Sequence, residues 1–269
     1  VINKTNTRLD TEDYSLWREA GLLIDDQGFI ISSNASEHGY SGEIGSTMTE
    51  DLICNAIVWL MAKLVNFMAT CDALSTTDMG MSWTGVPQRT LLDYWCNLRD
   101  QFQVWHDGLP ITFEASARTA PSRSAGTHFS RDSEAMFTEV WYSTSMCAST
   151  MQMYHMGQIL LFMNKPHEST QGGSTVFARL NSYQSVLAAC QKHSREIVGI
   201  SLACSDDAVR IHSVQPLFTA GQCLSDSRER QVVLNLLQGI ESDIGWASNY
   251  RVKQLVEQWN WEEQESTMP

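Results

Sequence analysis

Phe137-Thr138-Glu139-Val140-Trp141-Tyr142 opens a stretch that continues through Tyr154-His155-Met156-Gly157-Gln158-Ile159-Leu160-Leu161-Phe162-Met163 and stops at Lys165-Pro166. From Val140 to Met163 it carries no Asp, Glu, Lys or Arg, and apolar residues cover most of a helical circumference. A helix of that composition belongs in the interior of a sizeable helical domain. The spacing predicts a central helix that Asp132 or Ser133 caps and Pro166 ends.

Outward from this stretch, apolar residues recur at three- and four-residue spacing, and alternating strand patterns are missing. A short helix is expected over Asp13–Leu23, followed by a Ser-, Gly- and Asn-rich loop from Asp25 to Ser46. Thr47 with Glu50 makes a capping-box pair that opens a helix to about Cys71, its inward stripe Ile53, Ile57, Leu60, Leu64, Phe67 and Cys71. Pro87 suits the first turn of the next, striped by Leu91, Trp95, Leu98, Phe102 and Trp105 and stopped by Gly108 and Pro110. Glu114–Ser130, rich in Ser, Ala and Arg, is expected as a mobile surface loop. A helix over Thr175–Ala203 should bury Phe177, Leu180, Tyr183, Leu187, Cys190 and Ile197. Pro216 interrupts or restarts the next helix, Asp226 with Glu229 opens another over Val232, Val233, Leu236, Leu237 and Ile240, and Ser248 opens the last, with Val252, Leu255, Val256 and Trp259 inward. The expected fold is all-α, about eight to ten antiparallel helices around the buried central one. Residues 1–46 form an N-terminal extension with a short helix, 47–260 the helical domain, and 261–269 a frayed tail.

Composition narrows the function. The chain has 269 residues, 43% hydrophobic and 18% charged, with nine tryptophans and a formal charge of −13. It can bury a substantial core, and its charge argues against gripping phosphate backbones. Seven scattered cysteines fit reduced thiols used as small core residues. No signal peptide follows Val1, and the chain reads as a piece of something longer. Asn55, Lys63 and Asn66 break the apolar run Leu52–Met68, so a soluble protein with no membrane partner is expected.

Catalytic and metal chemistry is thinly represented. The acidic pairs Asp25-Asp26 and Asp206-Asp207 lack a third carboxylate one turn on, with Phe29 and Arg210 there instead, so cap residues are the better reading than magnesium ligands. Cys190, His193, Cys204 and His212 could be drawn as a zinc set, but their spacings match no common zinc module. No phosphate loop, nucleophile elbow or His-Glu-x-x-His motif occurs, and neither a catalytic nor a metal site is expected.

Trp141-Tyr142, Met151-Gln152-Met153-Tyr154-His155 and Ile159-Leu160-Leu161 before Lys165-Pro166 resemble the C-terminal regulatory region of fungal binuclear-zinc-cluster transcription factors. Tyr94-Trp95, Leu98, Trp105 and Leu109-Pro110 upstream are similar to that family, as is Pro216-Leu217-Phe218-Thr219-Ala220-Gly221. Glu229-Arg230, Leu236-Leu237, Ile240-Glu241, Gly245-Trp246, Arg251-Val252 and Val256-Glu257-Gln258-Trp259 follow in the family's order, so the likeness spans about Asp51 to Trp259. Gln215 departs from the aromatic residue often found before the proline, and the six cysteines of the zinc cluster are absent. The resemblance implies a nuclear regulatory domain of RNA polymerase II transcription, with no cofactor of its own and zinc confined to a cluster outside this chain. Its partners would be coregulators or an intramolecular activation segment, with a small-molecule effector or a second copy as further candidates and no direct nucleic-acid binding. Trp141, Tyr154 and His155 are the residues expected to line an effector pocket, against the alternative that all three pack the core. A helical enzyme of isoprenoid-cyclase type and a pure dimerisation scaffold are the readings from other classes.

Overall fold

The computed structural model describes residues 6–31, 48–77, 86–119, 136–166 and 176–267. Helices dominate: α1 (Tyr14–Glu19), α2 (Glu50–Thr77), α3 (Val86–Asp107), α4 (Ser145–Met163), α5 (Val176–Ala203), α6 (Asp207–Cys223), α7 (Ser227–Ile244) and α8 (Asn249–Thr267). A small antiparallel ribbon joins β1 (Ala117–Thr119) to β2 (Glu139–Trp141), with Arg118 opposite Val140. The all-α expectation holds. The chain divides into two compact units, Val1–Ile111 with Leu160–Asn181 and Thr112–Ile159 with Ser182–Pro269.

In the first unit α2 packs on α3. Ile53, Ile57, Leu60, Leu64 and Phe67 of α2 and Leu98, Phe102 and Trp105 of α3 are buried, as their spacing requires, while Cys71 is only half-buried and Trp59, off the expected stripe, is buried as well. The Trp105 indole donates to the Ile53 carbonyl at 3.2 Å, and Trp95 to that of Leu161 at 2.9 Å. Glu50–Ala73 is long and apolar enough to cross a bilayer, yet most of it is covered by protein. Its one cation, Lys63, is itself buried, with its ammonium 4.6 Å from the Trp59 ring centre and 5.3 Å from that of Tyr14. A ring face stabilises a desolvated ammonium by up to about 2 kcal/mol, which makes a core position tolerable. Thr47 lies outside the described residues.

The second unit corrects the reading of the central stretch. The helix does not begin near Asp132, which lies outside the described residues; Glu139–Trp141 is a strand, and α4 starts at Ser145. Thr138, Val140, Trp141 and Tyr142 are β-branched or aromatic and favour a pleated backbone. Thr144 then accepts a hydrogen bond from the Cys147 amide at 3.1 Å, the capping contact that launches α4. Likewise Ala117–Thr119, expected within a loop, pairs as β1, anchored by Arg118 on Glu196 at 2.9 and 3.0 Å. The rest of that loop, 120–130, lies outside the described residues.

Two further expectations fail on α5 and α6. Leu180, Tyr183 and Leu187 are 50, 67 and 39% exposed, so the stretch from Leu180 to Leu187 is not a core element and burial along it begins at Cys190; the Phe177 side chain lies outside the described residues. Pro216 neither interrupts nor restarts a helix but sits inside α6, buried. The hydrogen bond it cannot donate is tolerated because α6 packs on both α7 and α8.

Several resemblance words prove to be joints of this α6–α7–α8 bundle. Asp226 caps α7 through the amides of Arg228 and Glu229, and Glu229 takes Arg195 at 2.8 and 3.3 Å. Gly245 closes α7 at φ 77°, where a side chain would be strained. The Glu241 carboxylate accepts from the Ser248 and Asn249 amides at 2.7 and 2.6 Å, so it caps α8 from the end of α7. Those amides hold its pKa below the usual value. Arg230 lies 4.9 Å from the Trp259 ring centre and donates to the Leu224 carbonyl, while the Trp259 indole donates to the Gly221 carbonyl at 3.2 Å. Gly221 allows a close approach to α8: a Cβ there would stand 2.9 Å from Leu255.

Gly199 is tighter, since a Cβ would fall 2.3 Å from the Thr138 carbonyl oxygen, and a backbone atom cannot swing aside. Gly199→Ala should therefore destabilise by about 1–3 kcal/mol, more than Gly221→Ala, where a flexible Leu255 tip can yield. Urea unfolding of the two variants checks the order.

Candidate functional site

In the second unit, the first turns of α4 run beside the last turns of α5. Gln152, fully buried, donates to Ser201 Oγ at 2.8 Å, and Ser201 passes the bond to the Ile197 carbonyl at 3.0 Å. The Gln152 Oε1 atom is buried without a hydrogen-bond partner. One turn further along α4, His155 Nδ1 lies 2.9 Å from His193 Nδ1. Two facing ring nitrogens at that distance require one to donate and the other to accept, so one proton is held between them. The Tyr154 ring stands edge-on to both imidazoles, 5.4 and 6.4 Å between centres. Tyr154 and His155 are only 6 and 9% exposed. A polar seam thus lies inside an otherwise apolar helix pair.

At the outer end of this seam is a cleft of about 240 Å³, lined by Trp141, Tyr142, Ser143, Thr144, Ser145, Ala148, Ala203, Cys204, Ser205 and Asp206. The loop after β2 brings its aromatic and hydroxyl residues to the start of α4. The α5–α6 turn brings Cys204, Ser205 and Asp206. The two sides are tied by Ser145 Oγ donating to Asp206 Oδ2 at 2.7 Å, while Asp206 Oδ1 accepts from the Ala208 amide at 2.8 Å and caps α6. These bonds, Ser145 first, hold the Asp206 carboxyl below its ordinary pKa. Burial, reinforced by Glu196, pushes the Tyr142 phenol up to about 12.

The three residues expected in an effector pocket therefore occupy two places. Trp141 lines the cleft and is 43% exposed, whereas Tyr154 and His155 lie in the seam with His193 and are not among the cleft's lining residues. Sequence spacing missed Asp206, Cys204 and the hydroxyl run as one surface, because they meet only through the antiparallel return of α5. The zinc set does not assemble: His193 faces His155, the Cys190 thiol bonds to that of Cys223, and no group of three metal-ligating side chains occurs among the described residues. The acidic pairs are turn and cap residues; Asp25 accepts from the Gln27 and Phe29 amides at 2.8 Å each.

With this geometry in view, the chain can be set against known proteins. No family model matches it, and no solved structure does. Its likeness is to a fungal transcription activator. Over 265 residues, 98% of this chain, it is 61% identical to the transcription activator AMTR1 of Alternaria alternata. The chain spans about a third (34%) of that curated relative's length.

The two placements separate under truncation. Tyr154→Ala should cost about 3–5 kcal/mol, as for other large buried aromatic side chains, and Trp141→Ala clearly less, because its ring is half in water already. Thermal unfolding of both variants measures the gap.

Proposed function

We propose that this chain is the helical regulatory domain of a fungal zinc-cluster transcription factor, and that it works in the nucleus on RNA polymerase II transcription without catalysis of its own. The observation that carries this reading is the 61% identity to a transcription activator across 98% of the chain. The all-helical fold and the ordered words of the α6–α7–α8 bundle support the same class. A net charge of −13 leaves DNA contact to a module outside these residues, where the zinc cluster and its two metal ions would reside. The domain acts by docking coregulators or an intramolecular activation segment, and an effector in the Trp141 cleft would bias its packing in proportion to its differential affinity for two states.

In a reporter assay, the full-length protein lacking this segment should lose regulated output, becoming either silent or constitutive. Full-length protein should also hold zinc by metal analysis, while the 269-residue chain holds none and fails to shift duplex DNA at physiological salt. Unchanged reporter output on deletion, or zinc and DNA binding by the chain itself, would overturn the reading.

A further inference from the structure

The cleft at the start of α4 holds a negative charge that its own surroundings leave unneutralised. Asp206 makes hydrogen bonds to Ser145 and Ala208 but no ion pair with a described Lys or Arg. The nearby cations are taken. Arg210, one turn along α6, is held by Asp243 at 2.6 Å and Asp207 at 3.8 Å, and Arg118, on the strand opposite Trp141, is held bidentately by Glu196. The anion that the N-termini of α4 and α6 would attract is already present as this carboxylate. A second anion would meet it as a like charge. A cation would meet the carboxylate, the Trp141 ring and the hydroxyls of Ser143, Thr144 and Ser205.

We propose that this cleft binds a small organic ammonium ion, seated against the Trp141 ring and the Asp206 carboxylate. Three features set the class. Ring faces attract ammonium groups whose own hydration is weak, and methylated or alkyl ammoniums are the least hydrated. A fixed carboxylate supplies the charge that a neutral ligand could not use. A volume of 240 Å³ lies just below the range of about 300–1,000 Å³ typical of pockets for drug-sized ligands, which suits a small ion. The chain's net charge of −13 raises the local concentration of such cations further. The seam beneath supplies a route for an effect: Ala148 at the cleft is one helical turn from Gln152, which grips Ser201, and Ala203 at the cleft lies two residues beyond Ser201.

What binding would do rests on the regulatory reading above; binding itself does not. The test uses the 269-residue chain, with choline chloride as probe and 3,3-dimethylbutanol, its uncharged carbon analogue, as control. The readout is the Trp141 indole resonance, assigned with Trp141→Phe. Choline should give a saturable shift, and the alcohol one weaker by about fivefold or more. Asp206→Asn keeps a side chain that caps α6 equally well while removing the charge, so it should fold normally and lose choline binding by a similar factor. Equal response to both probes, full binding by Asp206→Asn, or no saturable shift in the wild type would each overturn the proposal. Choline binding beside an unresponsive reporter would leave the site standing and remove its regulatory role. A regulated reporter beside no binding would do the reverse.

Discussion

A nineteen-residue helix without a charged side chain, Ser145–Met163, sets the terms for its neighbours. Exposed, it would present apolar surface around nearly its whole circumference, so its turns up to Ile159 have to be covered by other elements of the second unit. In the second unit Gly199 gives up its side chain so that α5 can meet the Thr138 carbonyl at the ribbon. The polar residues that α4 does bury, Thr150, Gln152, His155 and Gln158, must then find partners inside protein. The seam to Ser201 and His193 is the answer for two of them, and the orphaned Gln152 oxygen shows that the solution is incomplete.

Much of this was readable from sequence, for reasons that differ by element. The α2 and α3 stripes are legible because one face is buried along their described core-facing turns, so three-and-four spacing maps directly onto contact. The cap at Asp226 is legible because capping there is local chemistry, whereas Ser248 opens α8 without capping it: its hydroxyl donates to the Leu237 carbonyl, and the cap comes from Glu241, seven residues back. The onset of α4 was misplaced because a run free of charge looks alike as strand or helix; only Ser143-Thr144-Ser145 marks the break, and hydroxyls are common there for other reasons. Pro216 misled because local propensity opposes a helix that tertiary packing sustains. Leu180, Tyr183 and Leu187 misled in the opposite sense, since apolar spacing states what a face could bury and not whether anything covers it.

The candidate site divides along the same line. Trp141, Tyr154 and His155 stand in a short stretch of sequence, and proximity along the chain suggested one pocket. The switch from strand to helix between them sends Trp141 to a cleft and the other two to a buried seam. Asp206, Cys204 and His193 come from a helix that starts ten residues after Pro166 and returns antiparallel, or from the turn that follows it, and no spacing rule connects them to Trp141. The likeness to a transcription activator speaks to the whole chain and not to any of these side chains.

The uneven covering of α5 has a thermal consequence. Backbone amides around Tyr183 and Leu187 are shielded by little beyond their own helical bonds, whereas those from Ile197 to Ile200 are sealed beneath apolar side chains that stay below 1% exposed. Opening of the former needs only helix fraying, while release of the latter needs the second unit to come apart. A single rod of secondary structure therefore spans nearly the full range of local free energies that the fold possesses, soft where water reaches it and as durable as the core at its far end.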